Sequence, residues 1–262
     1  MIKPKKSLGQ NFLIDRNIIK KIAKIINVKD KIILEVGPGT GNLTSEILIN
    51  NPKKIYVIEK DENLALGLKK RFGKSLQIIN KDILKFNEKS FLPEKLIVFG
   101  NLPYNISTEI LCKWILNLTN EDFWFENLVL MFQKEVADRI ISKFNTKNYG
   151  RLSILSNWKL NVSKIYDIKP SCFFPKPKIQ STLLFFTPKL NYFKIQEPKN
   201  LEMITRIFFN QKRKMIKKPF NQIFNGNLEI VEKNNLNLNL RPQNLSFETY
   251  YKLTQEYENL RS

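Results

Sequence analysis

Four short stretches hold side chains that can act together on a ligand. Glu35-Val-Gly-Pro-Gly-Thr-Gly41 is glycine-rich. Gly37, Gly39 and Gly41 let a backbone turn sharply and admit a ligand where a Cβ would block it. Glu59 follows about 20 residues later, where a carboxylate can accept hydrogen bonds from both hydroxyls of a ribose. Asp82, in Asn80-Lys-Asp-Ile-Leu84, is placed to bond an adenine amino group. Asn101-Leu-Pro-Tyr104 offers two acceptors, Asn101 Oδ1 and the Leu102 carbonyl, a turn stiffened by Pro103 and an aromatic face at Tyr104.

The detail of the first stretch selects the ligand. A nucleoside triphosphate needs a Gly-Lys-Ser/Thr ending, which this loop lacks. A pyrophosphate at a helix N-terminus would meet the Glu35 carboxylate, an unfavourable pair. A zwitterion with a cationic sulfonium suits that acid better. S-adenosyl-L-methionine is therefore the expected cofactor, with its ribose on Glu59 and its adenine on Asp82.

Asn101–Tyr104 then reads as a site for methylating an exocyclic amine. The lone pair of such a nitrogen is delocalised into its ring. Acceptors for its two hydrogens let it pyramidalise towards the methyl group, and a flat surface holds the base for in-line attack. Tyr104 supplies one surface. Phe173, in the Pro-rich stretch Lys169–Lys178, is expected to face it, with Phe174 beside it; the alternative for both rings is a core anchor. The proton leaves after transfer, from an acidic ammonium, so neither a histidine nor a covalent intermediate is needed.

These residues need elements to position them. Short runs rich in Ile, Val and Phe recur at 32–36, 55–59, 76–80, 96–100 and 128–132, and read as buried strands. Helical segments lie between them at 43–50, 62–72, 107–118 and 133–144, with Asp61 and Ser107 as caps. Strand and helix in alternation predict a parallel α/β sheet with ligands at the strands' carboxyl ends. Each motif also has a plainer reading, as a tight turn or a solvated acid. Their order along one sheet argues against it. Strands at 160–168 and 181–187, joined by the Pro-rich loop, can finish the sheet. The tail from Leu201 has helical periodicity at 201–209, 216–224, 228–234 and 247–260, with Asn234–Leu240 a loop or fraying helix end.

Composition bounds the class. The chain has 262 residues, 44 Lys and Arg, 24 Asp and Glu, and no histidine, for a net charge of +20. The missing histidine excludes Ser-His and Cys-His nucleophile pairs and a Cys/His zinc site, and no metal is expected. Cys112 and Cys172 are isolated, which fits a reducing cytosol. No apolar run approaches the ~18 residues of a membrane span. The basic stretch Ile18–Ile26 reads as a packed helix with a solvated Lys face rather than a membrane-surface helix. A cytoplasmic monomer is expected. Compositional drift towards Lys can raise the charge everywhere, but it does not explain acid-poor clusters. Residues 1–29 hold eight Lys or Arg against Asp15 alone, and 205–218 hold six and no acid. Both clusters interleave apolar residues, as an RNA-binding surface does.

Over nearly its whole length the chain resembles the ribosomal RNA adenine dimethyltransferase family, on its small-subunit branch. The marks, in order, are Lys6–Leu13 (KSLGQNFL), Glu35–Thr44 (EVGPGTGNLT), Gly100–Thr108 (GNLPYNIST), Gln133–Val136 (QKEV), Tyr149–Ser153 (YGRLS), Phe173–Ser181 (FFPKPKIQS) and Phe209–Lys214 (FNQKRK). The resemblance implies a Rossmann-like S-adenosylmethionine-dependent methyltransferase domain, residues 1–188, and a small helical RNA-binding domain, residues 189–262. It implies dimethylation at N6 of two adjacent adenosines in the 3′-terminal hairpin loop of small-subunit (16S) ribosomal RNA, on pre-formed small subunits. It places cofactor contacts on Asn11, Leu13, Gly37, Glu59, Asp82 and Asn101. Asn11 and Leu13 come from the resemblance alone. Lys81 and Gln180 depart from the family pattern, outside the methyl-transfer centre. Three rivals are a large-subunit adenine methylase of the macrolide-resistance type, a non-catalytic assembly factor, and a DNA adenine methylase.

Overall fold

The computed structural model describes residues 4–5, 8–91, 95–118 and 123–261. Lys6 and Ser7 of the first family mark, and Lys3 of the first basic cluster, lie outside them. The chain opens with β1 (Phe12–Leu13) and α1 (Arg16–Ala23). An alternating run follows: β2 (Ile32–Val36), α2 (Asn42–Ile49), β3 (Lys54–Ile58), α3 (Glu62–Phe72), β4 (Gln77–Ile79), α4 (Glu88–Phe91), β5 (Leu96–Asn101), α5 (Ser107–Leu116) and β6 (Phe125–Gln133). Next come α6 (Lys134–Ile140), α7 (Arg151–Lys159), β7 (Leu160–Ile168), β8 (Phe173–Phe174) and β9 (Ser181–Pro188). The tail is helical: α8 (Pro198–Asn210), α9 (Lys217–Phe224), α10 (Leu228–Lys233) and α11 (Phe247–Asn259).

The fold is the expected Rossmann-like α/β arrangement. Seven strands form one sheet in the order β4-β3-β2-β5-β6-β9-β7. The pairs from β4 through β6 are parallel, and β9 runs antiparallel to β6. All five residues of β2 are buried, as a central parallel strand covered on both faces requires. β7 alternates and is largely exposed, which fits its place at the edge. The order reverses between β2 and β5, so a crevice opens beyond their carboxyl ends. On α1, Ile19, Ile22 and Ala23 are buried while Lys20, Lys21 and Lys24 are exposed: a packed helix with a solvated Lys face.

Two local expectations need correction. The helix expected over 133–144 ends at Ile140, and the chain then turns through Ser142–Thr146 with Asn145 at a positive φ of 64°. α7 was not visible in the sequence. Ser153, Ile154, Leu155, Ser156, Trp158 and Lys159 are all buried, so the helix has no polar face and no amphipathic period to read.

By its contacts the chain divides into two units. One comprises Met1–Leu111, Asp122–Ala137 and Ser163–Pro188; the other comprises Cys112–Glu121, Asp138–Val162 and Lys189–Ser262. The chain crosses from one to the other within α5, between Glu121 and Asp122, within α6, within β7 and after Pro188. The helical unit thus includes more than residues 189–262, because α7 packs on α8 and α11. Its core is aromatic: the Tyr149 ring meets Phe209 and Phe247 edge-on, and Tyr250 packs on Phe208 and Phe209. The Glu258 carboxylate on α11 accepts from Gln196 N, Glu197 N and Asn200 Nδ2, which ties that helix to the start of α8. Of the basic residues in 205–218, Lys212 turns inward, its Nζ donating to the carbonyls of Lys147 and Tyr149. Arg206, Arg213, Lys214, Lys217 and Lys218 are exposed. Among the described residues no helix is long and apolar enough to cross a membrane, and no group of three His, Cys, Asp or Glu side chains could hold a metal ion.

Candidate active site

The carboxyl ends of β2, β3 and β5 converge on one cavity in the first unit. After β2 the backbone turns through Gly37, Gly39 and Gly41, at φ of 67°, 57° and 78°. Gly37 N extends the β2–β3 ladder by donating to the Ile58 carbonyl at 2.9 Å, and Gly41 N closes the turn on the Pro38 carbonyl at 2.9 Å. Gly39 is glycine for a second reason: a Cβ there would lie 2.7 Å from Cδ1 of Phe12. Gly41 is the N-cap residue of α2, and a Cβ there would meet the Phe72 and Leu68 side chains of α3 at 2.6 and 2.8 Å.

Carboxylates surround this turn in contrasting environments. Glu59 is 7% exposed; its Oε2 accepts from Gly39 N at 3.2 Å and its Oε1 from Asp61 N at 2.9 Å. Burial raises its pKa, and the backbone N–H bonds oppose this. Glu35 is 3% exposed and accepts from Thr44 Oγ1 at 2.6 Å. Burial, resisted by that bond and reinforced by the charge of Glu59, pushes its pKa up to about 7. Asp82 behaves oppositely. Lys60 Nζ sits 2.8 Å from its Oδ2 and Leu84 N is 3.0 Å from its Oδ1; the lysine bond outweighs burial and lowers its pKa.

The N-terminal residues wrap the opposite side of the cavity. β1 pairs antiparallel with β8, Phe12 opposite Phe174 and Leu13 opposite Phe173. Asn42 Nδ2 donates to the Leu13 carbonyl at 2.9 Å, and Asn101 Nδ2 donates to the Asn11 carbonyl at 2.8 Å. The second bond orients Asn101. An amide has one donor side and one acceptor side. With Nδ2 committed to the backbone, Oδ1 is the atom left to receive hydrogens from a ligand. Tyr104, two residues beyond Leu102, hydrogen-bonds through its hydroxyl to Ser181 Oγ at 2.5 Å, and burial raises its pKa. Gly100 accommodates the buried Leu102 side chain, whose Cδ2 would lie 2.7 Å from a Cβ at that position.

Asn11, Leu13, Glu35, Gly37, Gly39, Glu59, Asp82, Asn101, Leu102, Pro103 and Tyr104 all line the cavity. Gly41 and Phe173 are not in its lining. Gly41 is spent on the contact between α2 and α3. Phe173 is 2% exposed within the hydrophobic core, because pairing with Leu13 turns its side chain inward, and the next residue, Phe174, is 53% exposed. Sequence reasoning missed Gln10, Phe12, Asn42, Thr44 and Ser181, which hold the others in place. All five lie within the quoted family marks, Gln10 and Phe12 in the first, Asn42 and Thr44 in the second and Ser181 at the end of the sixth, but nothing in the local pattern showed which side chains they hold.

Comparison with known proteins places this geometry. The family model described as ribosomal RNA adenine dimethylase matches residues 1–259. A protein of Pelagibacter ubique named ribosomal RNA small subunit methyltransferase A is 64% identical over 99% of both chains. One of the same name from Wolbachia sp. subsp. Drosophila simulans is 41% identical over 98% of this chain and 95% of its own. The crystal structure of a dimethyladenosine transferase from Plasmodium falciparum superposes with a TM-score of 0.78 at 28% identity, over 95% of this chain and 98% of that one. The structure of the 23S rRNA methyltransferase ErmE has a TM-score of 0.67 at 21% identity over 94% of this chain and 99% of its own, a likeness of fold.

Two measurements test the site. Calorimetry with S-adenosyl-L-methionine on Glu59→Ala is expected to show a loss of ~1–3 kcal/mol for the missing ribose bonds; unchanged affinity refutes the ribose role. The raised pKa of Glu35 gives a sign. Unliganded, the protein binds extra protons there, so it gives up stability as pH rises from 4.5 towards about 7. A cationic ligand favours the ionised carboxylate. Cofactor affinity should therefore rise, by up to about tenfold between pH 6 and pH 8, and Glu35→Gln should flatten the profile.

Proposed function

The chain belongs to the ribosomal RNA adenine dimethylase family, and from that premise we propose that it dimethylates N6 of two adjacent adenosines in the 3′-terminal hairpin loop of small-subunit ribosomal RNA, acting on pre-formed small subunits in the cytoplasm. The methyl donor is S-adenosyl-L-methionine, which supplies an electrophilic methyl group. The cavity fits it. Glu59 is a buried carboxylate held open by two backbone N–H groups, the turn at Gly37 leaves room for a ligand, and a second buried acid, Glu35, faces the same space.

The observation that carries the reading is the orientation of Asn101. Asn101 Oδ1 and the Leu102 carbonyl accept the two hydrogens of the adenine amine, which pyramidalises the nitrogen, takes its lone pair out of conjugation with the ring and points it towards the methyl group. Tyr104 stacks on the base, its ring fixed by the Ser181 hydroxyl. The same pair of acceptors serves the second methylation less fully, because the monomethylated amine has one hydrogen left to bond. The proton is released after transfer, when the nitrogen is cationic. Phe174, exposed beside the buried Phe173, supplies the second aromatic face. The exposed Lys and Arg of α1 and of residues 205–218 grip the phosphates.

Expression in a host lacking its own small-subunit dimethylase, followed by primer extension on both ribosomal RNAs, tests the proposal. Stops at two adjacent adenosines of the small-subunit 3′ hairpin loop are expected. Stops confined to the large-subunit RNA overturn it. Asn101→Ala should lower the methyl-transfer rate about 10²–10³-fold while leaving RNA binding intact.

A further inference from the structure

Asp61 has work beyond capping a helix. Its Oδ1 accepts from Asn63 N at 3.0 Å, which caps α3. Its Oδ2 faces the N-terminal residues: Lys5 Nζ lies 2.9 Å away and Gln10 Nε2 donates to it at 3.1 Å. Lys5 N in turn donates to Gln10 Oε1 at 2.7 Å, so Lys5, Gln10 and Asp61 form a closed ring of bonds. The Asp61 side chain is 3% exposed, whereas that of Lys5 is 48% exposed. Burial raises the Asp61 pKa, and the bonds from Lys5 and Gln10 outweigh it, so the carboxyl stays below the usual range.

This ring sits at a junction. The backbone N–H of Asp61 holds Glu59 Oε1, while Gln10 is followed directly by Asn11, whose carbonyl orients Asn101, and by Phe12, whose ring covers Gly39. Leu8, Gly9, Gln10, Asn11, Phe12 and Leu13 all line the cavity. The end at Leu13 is held by neutral bonds and β pairing; among the described residues, the end at Gln10 is held by the Lys5–Asp61 charged pair. Two methyl groups on each of two adenosines require repeated exchange of the cofactor for every RNA.

We propose that Asp61 is a positioning residue that latches the N-terminal strap, residues 8–13, over the cofactor cavity through Gln10 and Lys5, and so sets the rate at which the cofactor leaves. The inference rests on the reading of this cavity as the S-adenosyl-L-methionine site. Asp61→Asn keeps an oxygen to cap α3, since Asn caps as well as Asp, but removes the anionic acceptor of Lys5. Lys5→Met opens the same latch without touching the cap.

The test is release of labelled S-adenosyl-L-methionine from the full-length protein, chased with excess S-adenosylhomocysteine, alongside association rates and thermal midpoints. Release should be at least about fivefold faster in both variants, with association nearly unchanged, Tm within a degree or two, and the double variant no faster than the faster single one. Wild-type release rates in both variants overturn the latch. So does faster release in Asp61→Asn alone with a fall in Tm, which assigns the residue to the cap. If the wild-type protein does not bind the cofactor, or Glu59→Ala binds it unchanged, the reading of the cavity fails instead.

Discussion

The site depends on the bond from Asn101 Nδ2 to the Asn11 carbonyl. A carboxamide can turn either its donor or its acceptor towards a ligand, and the two choices differ only in which atom the protein holds. Here the protein holds the donor. What faces the cavity is an acceptor on the end of β5, next to the Leu102 carbonyl. Methylating a conjugated amine needs that pattern: hydrogens drawn away from the methyl donor, so that the nitrogen pyramidalises and its lone pair leaves the ring's conjugation. The bond spans 90 residues of sequence, so it exists only if the strap carrying Asn11 lies against the end of the sheet. The β1–β8 pair, the Phe12 ring on Gly39 and the Asn42 bond to Leu13 all serve that contact.

The acids around the cavity divide by environment. Asp82 and Asp61 each have a lysine within 3 Å and titrate below the usual range, so both are anionic anchors. Glu35 and Glu59 have no cation among their described bonds and are buried, so both titrate high. Of the first pair, Asp61 keeps elements in place, while Asp82 also lines the cavity. The second pair lines the cavity, where a carboxylate held by N–H or O–H donors would gain from an incoming cation or ribose. The chain has no histidine, and the proposed reaction asks for none: the proton leaves the methylated nitrogen after transfer, and the residues named for it serve orientation.

Local pattern carried much of this. The strands could be read because each is a short apolar run, and their alternation with helices put Glu35, Glu59, Asp82 and Asn101 at one end of a sheet. α7 could not, since burial on all sides leaves no period. Nor could the contacts that tune the site: Gln10 to Asp61 spans 51 residues and Tyr104 to Ser181 spans 77, and no local spacing encodes such partners. Phe173 shows the limit most clearly. Its motif made it a candidate for stacking on the base. A two-residue strand, too short to read beside prolines, turned it inward and left Phe174 outside.

The most direct test of the central claim is a crystal structure of the protein with a non-reactive S-adenosylmethionine analogue and an adenosine-containing RNA hairpin. The account predicts the adenine N6 within hydrogen-bonding distance of Asn101 Oδ1 and the Leu102 carbonyl, with Asn101 Nδ2 still on the Asn11 carbonyl. An adenine bound with its N6 away from both acceptors, or an Asn101 side chain that has left Asn11 and turned its donor to the base, contradicts it.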